Sequence, residues 1–227
     1  MRALAGLLTL AAALGLIATG AAAQSNWSRA MLRTPAGTNV LGNPQAKVRL
    51  TQYVSYTCTD CARFQVEADA VLQLAYIPSG RLAIEVHHVI RSPIDLTAAM
   101  LANCGAKEKF FLNHSALLFG QARWLKPLSG ASSVQRARWV QPELGARNRA
   151  IAADFKLYDL MATRGYDRQS VEQCLTDRAM ADRLEAQSRA ASDAGVSATP
   201  GFAINGKLLL NTHDWAKLRP QLDESLK

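Results

Sequence analysis

Val54-Ser55-Tyr56-Thr57-Cys58-Thr59-Asp60-Cys61-Ala62-Arg63-Phe64 decides the reading of this chain. It joins an alternating stretch to a helical one and places two cysteines, two residues apart, at the junction. Upstream, Val48, Leu50, Gln52 and Val54 share one face, while Arg49, Thr51 and Tyr53 share the other, which is the period of a strand. Downstream, Ala62, Phe64, Ala68, Val71, Leu72 and Ala75 form one helical stripe, ended by Pro78-Ser79-Gly80. A cysteine in the first turn of a helix meets unpaired N–H groups and the positive end of the helix dipole. Both favour a thiolate, which is a good nucleophile and a good leaving group in thiol–disulfide exchange.

Leu82 to Ile90 predicts a second strand, completing a strand–helix–strand unit whose parallel strands need the helical crossover. Helical spacing then dominates to about Gly195, through Ala98, Leu101 and Ala102, then Phe110, Phe111, His114, Leu117, Leu118 and Trp124. Ser170 with Gln173 reads as a capping box, and Thr176 as the cap of a following helix with Met180, Leu184 and Ala191. After Thr199-Pro200, Phe202–Ile204 and Lys207–Leu210 flank Asn205-Gly206, the residues a type I′ hairpin turn requires. A closing helix carries Trp215, Leu218, Leu222 and Leu226, capped by Asn211 or Thr212, with Pro220 inside it.

The N-terminus reads as a secretory signal peptide. Arg2 precedes an apolar run from Ala3 to about Ala18, and Ala21-Ala22-Ala23 supplies the small-residue cleavage pattern. The expected organisation is 1–23 cleaved signal, 24–46 extended lead-in, 47–92 with 196–227 as an α/β unit, and 93–195 as a helical insertion. An exported chain works in a disulfide-permissive compartment. The formal charge of +8 is spread over scattered residues such as Arg123, Lys126, Arg136 and Arg147. That describes a solvated basic face and not a nucleic-acid site, and it leaves acidic partners open.

The order strand, C-x-x-C helix, strand, helical block, Thr-Pro, hairpin, helix resembles a thioredoxin fold with a helical insertion. More narrowly, residues 54–64, Val196-Ser197-Ala198-Thr199-Pro200-Gly201-Phe202 and Lys109–Trp124 resemble the periplasmic DsbA-like thiol–disulfide oxidoreductases. The resemblance implies an enzyme acting on reduced or unfolded secreted proteins, most simply as a disulfide donor. A reductase or isomerase of the same fold is the alternative; a metal carrier or chaperone is the distant one. It implies Cys58 as the exposed reactive sulfur, Cys61 as its buried partner, and Pro200 as a cis proline. The Thr199 backbone would pair with the client chain. The Cys58–Cys61 disulfide would be the only redox group, with no metal or separate cofactor. A membrane redox partner would recycle it, and the protein would act as a monomer.

Two positions depart from strongly oxidising relatives. Thr59-Asp60 stands where many have Pro-His, and a carboxylate beside Cys58 predicts a weaker oxidant. Gln52 stands where relatives commonly bury an acid that relays the proton of the second cysteine, a task glutamine cannot perform. Cys104 and Cys174 remain. Some relatives carry a second disulfide in the insertion, and the alternative is two buried thiols.

Overall fold

The computed structural model describes residues 26–227, so the signal-peptide reading of 1–23 lies outside the described residues. The chain contributes six strands to one sheet: β1 (Met31–Arg33), β2 (Asn39–Gly42), β3 (Val48–Val54), β4 (Leu82–His88), β5 (Gly201–Ile204) and β6 (Lys207–Leu208). Their order is β1-β2-β4-β3-β5-β6. β3 and β4 run parallel, with Leu50 opposite Ile84 and Val54 opposite His88. The other neighbours are antiparallel, including β3 with β5 through Leu50–Ile204 and Gln52–Phe202. β3 is therefore central, and Val48, Leu50, Gln52 and Val54 are all buried as the alternation predicts.

The crossover from β3 to β4 is α1 (Thr59–Val71), continued by a π-turn over Leu72–Tyr76. A π-turn advances fewer degrees per residue than an α-helix, so it rotates the stripe. Phe64, Ala68 and Leu72 stay buried, whereas Ala75, predicted to lie on the same face, is exposed. Phe64 packs on Phe202 of β5 at 4.7 Å between ring centroids and on Trp215 at 6.3 Å. Trp215 opens α10 (Trp215–Ser225), so α1 and the closing helix share one face of the sheet. Asn205 and Gly206 both have positive φ, the conformation the type I′ turn requires.

The stretch between β4 and β5 holds α2 (Pro93–Ala102), α3 (Phe110–Phe119), α4 (Gln121–Trp124), α5 (Ser133–Arg138), α6 (Leu144–Asp154), α7 (Leu157–Thr163), α8 (Arg168–Thr176) and α9 (Arg178–Asp193). α2 is buried over its whole length after Pro93. Asn148 of α6 pins its neighbours, accepting from Thr97 of α2 at 3.0 Å and donating to the Leu175 carbonyl of α8 at 2.8 Å. Cys104 and Cys174 are joined by a disulfide that ties the end of α2 to α8 across 70 residues. α9 returns to the sheet, where Gln187 accepts from His88 N and Ser188 from Ile90 N.

The structure corrects the sequence reading at several helix ends. Asp167 caps α8, Asp177 caps α9 and Asp214 caps α10, each accepting the N–H three residues on. Ser170, Thr176, and Asn211 or Thr212 do not. Carboxylates at these positions satisfy the free N–H groups and meet the helix dipole with a full charge. The lead-in is also more regular than its Pro and Gly content suggested. β2 pairs with β4 from Asn39–Val86 to Gly42–Ala83, extending the sheet outward. Gly42 makes that approach possible: at φ +108°, a Cβ there would lie 2.7 Å from the Leu82 carbonyl oxygen.

Candidate active site

Cys58 is the N-cap of α1, with extended backbone angles, and Cys61 lies one turn in. Against the expectation of an exposed Cys58, both cysteines are buried, Cys58 at 7 % exposure and Cys61 at 1 %, because the loops around Thr199 close over the helix start. Both are reduced. The Thr199–Pro200 peptide is cis, and the Cys58 thiol donates to the Thr199 carbonyl at 3.1 Å. The structure thus brings Cys58, Cys61, Thr199 and Pro200 together from residues 141 positions apart.

The pair is electrostatically split. A hydrogen bond from Cys61 is the largest influence on Cys58; burial opposes it, and the Thr199 hydroxyl and the N–H groups of Cys61 and Asp60 add to it. The Cys58 thiol falls to about 5. Cys61 moves the other way, pushed well above the usual thiol range by burial first and by its bond to Cys58. The Thr199 Oγ1 is buried with no other hydrogen-bond partner, and its hydroxyl lowers both sulfurs. One sulfur is therefore a thiolate at neutral pH while the other keeps its proton.

Thr59 and Asp60 are exposed on the first turn of α1. Asp60 does not aim its charge at Cys58 as the sequence suggested. Its carboxylate pairs with Arg63 at 3.1 Å, an i,i+3 contact along the helix surface. What Asp60 gives Cys58 is its backbone N–H. Gln52 is buried on β3 and lines a cavity of about 20 Å³ with Gln65, Asp69 and His114. That volume suits a single water. No hydrogen bond joins the Gln52 side chain to either cysteine.

Three supporting residues escaped the sequence reading. Gln121, at the start of α4, donates through Nε2 to the carbonyls of Tyr56 and Cys58, both at 2.8 Å. Asp95, fully buried in α2, accepts from Ser55 Oγ at 2.6 Å, Tyr56 N at 2.7 Å and Arg91 N at 3.2 Å. Tyr56 is itself buried and bonds His114 Nδ1 at 2.8 Å through its hydroxyl. Burial lowers His114 to about 3, so the ring is neutral. The Cys58 loop is thus held from beneath by the inserted helices. No short-range pattern marks Gln121 or Asp95, because the Tyr56 and Cys58 backbone groups they hold lie 39 to 65 residues away.

A cleft of about 560 Å³ opens beside Cys58, lined by Thr57, Asp60, Arg91, Ser197 and Thr199 among others. Its lining mixes hydroxyls and charges with Val89, Val196 and Ala198.

A family model described as thioredoxin matches residues 34–224. The chain belongs to the thioredoxin family. A crystal structure described as a protein-disulfide isomerase from Novosphingobium aromaticivorans is 44 % identical, with a TM-score of 0.81 over 84 % of this chain and 98 % of that one. Wolbachia pipientis α-DsbA1 shares the fold at 20 % identity and a TM-score of 0.67, covering 86 % of this chain and 93 % of that one. A Rickettsia bellii protein provisionally named a protein-disulfide oxidoreductase is 26 % identical over 74 % of this chain and 56 % of its own length. The chain spans about half the length of the curated relatives it matches. Among the described residues no helix is long and apolar enough to cross a membrane.

Proposed function

We propose that this protein exchanges disulfides with secreted protein clients through Cys58–Cys61, and that it acts in the periplasm as a disulfide donor. In the oxidised form a client thiolate attacks Cys58 Sγ. The Cys58–Cys61 bond breaks, and its electron pair leaves on Cys61, which takes up a proton. A second client thiolate then attacks the client sulfur of the mixed disulfide and expels Cys58 as a thiolate. The client gains one disulfide, the enzyme two electrons. A quinone-linked membrane partner would remove those electrons, and no metal or separate cofactor takes part.

The observation that carries the reading is the Cys58 thiol lowered to about 5 beside a buried, protonated Cys61. A stabilised thiolate makes Cys58 a good leaving group and lowers the energy of the reduced form, which raises the reduction potential. Thr199 faces the same cleft, and its N–H makes no protein hydrogen bond among the described residues. It is free to pair with a client backbone. The sequence of residues 2–23 supports export, as does a second disulfide, Cys104–Cys174, which persists in oxidising compartments.

An isomerase or reductase role is the second reading, favoured by the description of the 44 % identical structure as a protein-disulfide isomerase. Equilibration with glutathione separates the two. A donor stays reduced in glutathione mixtures that leave thioredoxin, at about −270 mV, oxidised. A potential at or below that value would reject donation. Cys58→Ser must abolish exchange with a reduced two-cysteine peptide in either role.

A further inference from the structure

We propose that Arg91 makes the cleft selective, favouring client segments with an acidic side chain within two residues of the reacting cysteine. This rests on the exchange reading above and names its substrate class. The cleft beside Cys58 has two ionisable groups on its rim apart from the cysteine itself, Asp60 and Arg91. Asp60 is already neutralised by Arg63 at 3.1 Å. Arg91 is exposed and forms no ion pair among the described residues.

The remaining nearby carboxylate is Asp95, which accepts the Arg91 backbone N–H at 3.2 Å. Its oxygens are occupied from below by Ser55, Tyr56 N and Thr57, and its side chain is fully buried. Asp95 therefore fixes the base of Arg91 without covering the guanidinium. The cleft keeps one uncompensated positive charge across from Thr199, the strand-like edge a client would pair with. In an extended client, residues two apart project to the same side, about 7 Å from each other. With the client sulfur on Cys58, a carboxylate at either position lies within reach of a long arginine side chain. The net positive charge of the chain draws acidic partners towards the molecule, and Arg91 would act at the point of contact.

The test uses oxidised protein with two-cysteine peptides in single turnover. Each cysteine is flanked two residues away by Glu, Gln or Lys. The flanking charge also shifts the peptide thiol itself, so the Glu-to-Lys rate ratio is compared between wild type and variants, where that effect cancels. An exposed ion pair contributes at most about fivefold, and reversing the charge acts on both peptides. The ratio should fall on the order of tenfold from wild type to Arg91→Glu, with Arg91→Gln between. It should shrink in 0.5 M salt. Arg136→Glu, which changes net charge equally on exposed α5 outside the cleft, should leave the ratio where it was. An equal ratio in wild type and both Arg91 variants would overturn the selectivity and leave exchange standing. So would a shift in Arg136→Glu as large as in Arg91→Glu. Failure of the wild type to oxidise any peptide would remove the exchange reading and this inference together.

Discussion

At Cys58 a thiol bond from Cys61, the Thr199 hydroxyl and two helix N–H groups outweigh burial. The depressed pKa ties stabilisation of the reduced fold to the ionised sulfur. The contribution is absent below about pH 5, grows as pH rises through it, and is complete only near the ordinary thiol value of 9.0. At pH 7 it amounts to two pKa units, reduced by partial solvent contact to about 1–2 kcal/mol. Melting curves should show the reduced protein gaining roughly 2–8 °C on the oxidised one between pH 5 and pH 7. A pH-independent difference would mean the thiolate has no special support in the fold. Arg63 bears on the same sulfur indirectly. Arg63→Ala frees the Asp60 carboxylate, and at ~7 Å with an effective dielectric of ~50 the repulsion is about 1 kcal/mol. The Cys58 pKa, read by thiolate absorbance, should rise by up to about 0.7 units. A fall would show that Arg63 was acting directly on the sulfur in the opposite sense.

The elements that hold the site differ in how much of them a linear reading reveals. β3, α1 and β4 announce themselves because their periodicities are local and the cysteines mark the junction. The hairpin follows from Asn205-Gly206, where two positive φ angles are needed in succession. β1 and β2 are short, with Pro35 and Gly37 between them and Pro44 just beyond, and their existence depends on β4 offering a free edge. The clamp from α4 was equally hidden: Gln121 looks like any polar helix residue until the fold sets it under the Cys58 loop. Gln121→Ala removes two hydrogen bonds of 2.8 Å. The Cys58 carbonyl keeps a bond from Ala62 N, so the buried Tyr56 carbonyl bears most of the loss. Denaturant unfolding should show about 1–3 kcal/mol less stability, and amide exchange should quicken around Tyr56–Cys58. Unchanged exchange there would mean the loop is held by Asp95 alone.

Across the whole molecule, the helices between β4 and β5 cap one end of a sheet whose own strands average few residues. Their interior continues the core of the sheet, with Phe155 against Trp139 at 4.8 Å and Trp124 at 6.2 Å. Asp95, Gln121 and His114 are its points of contact with the reactive loop. The Cys104–Cys174 bond joins the end of α2 to α8 and shares no hydrogen bond with the C-x-x-C loop. Its effect should fall on stability and spare the reactive thiol. Closing a loop of 70 residues restricts the unfolded chain by about 4 kcal/mol in the entropy model, with measured values often lower. Removing both sulfurs also leaves a gap at Cys104, which is buried, and a smaller loss of packing at half-buried Cys174. A Cys104→Ala/Cys174→Ala protein should therefore unfold about 2–5 kcal/mol more easily, which for a chain of this size is a fall of roughly 5–15 °C in Tm. The Cys58 pKa and the Cys58–Cys61 potential should stay as in the wild type. A potential shifted by more than about 30 mV, equivalent to ~1.4 kcal/mol, would show that the inserted helices transmit strain to the reactive loop. Unaltered stability would show instead that the unfolded chain is already compact enough for the cross-link to restrict little.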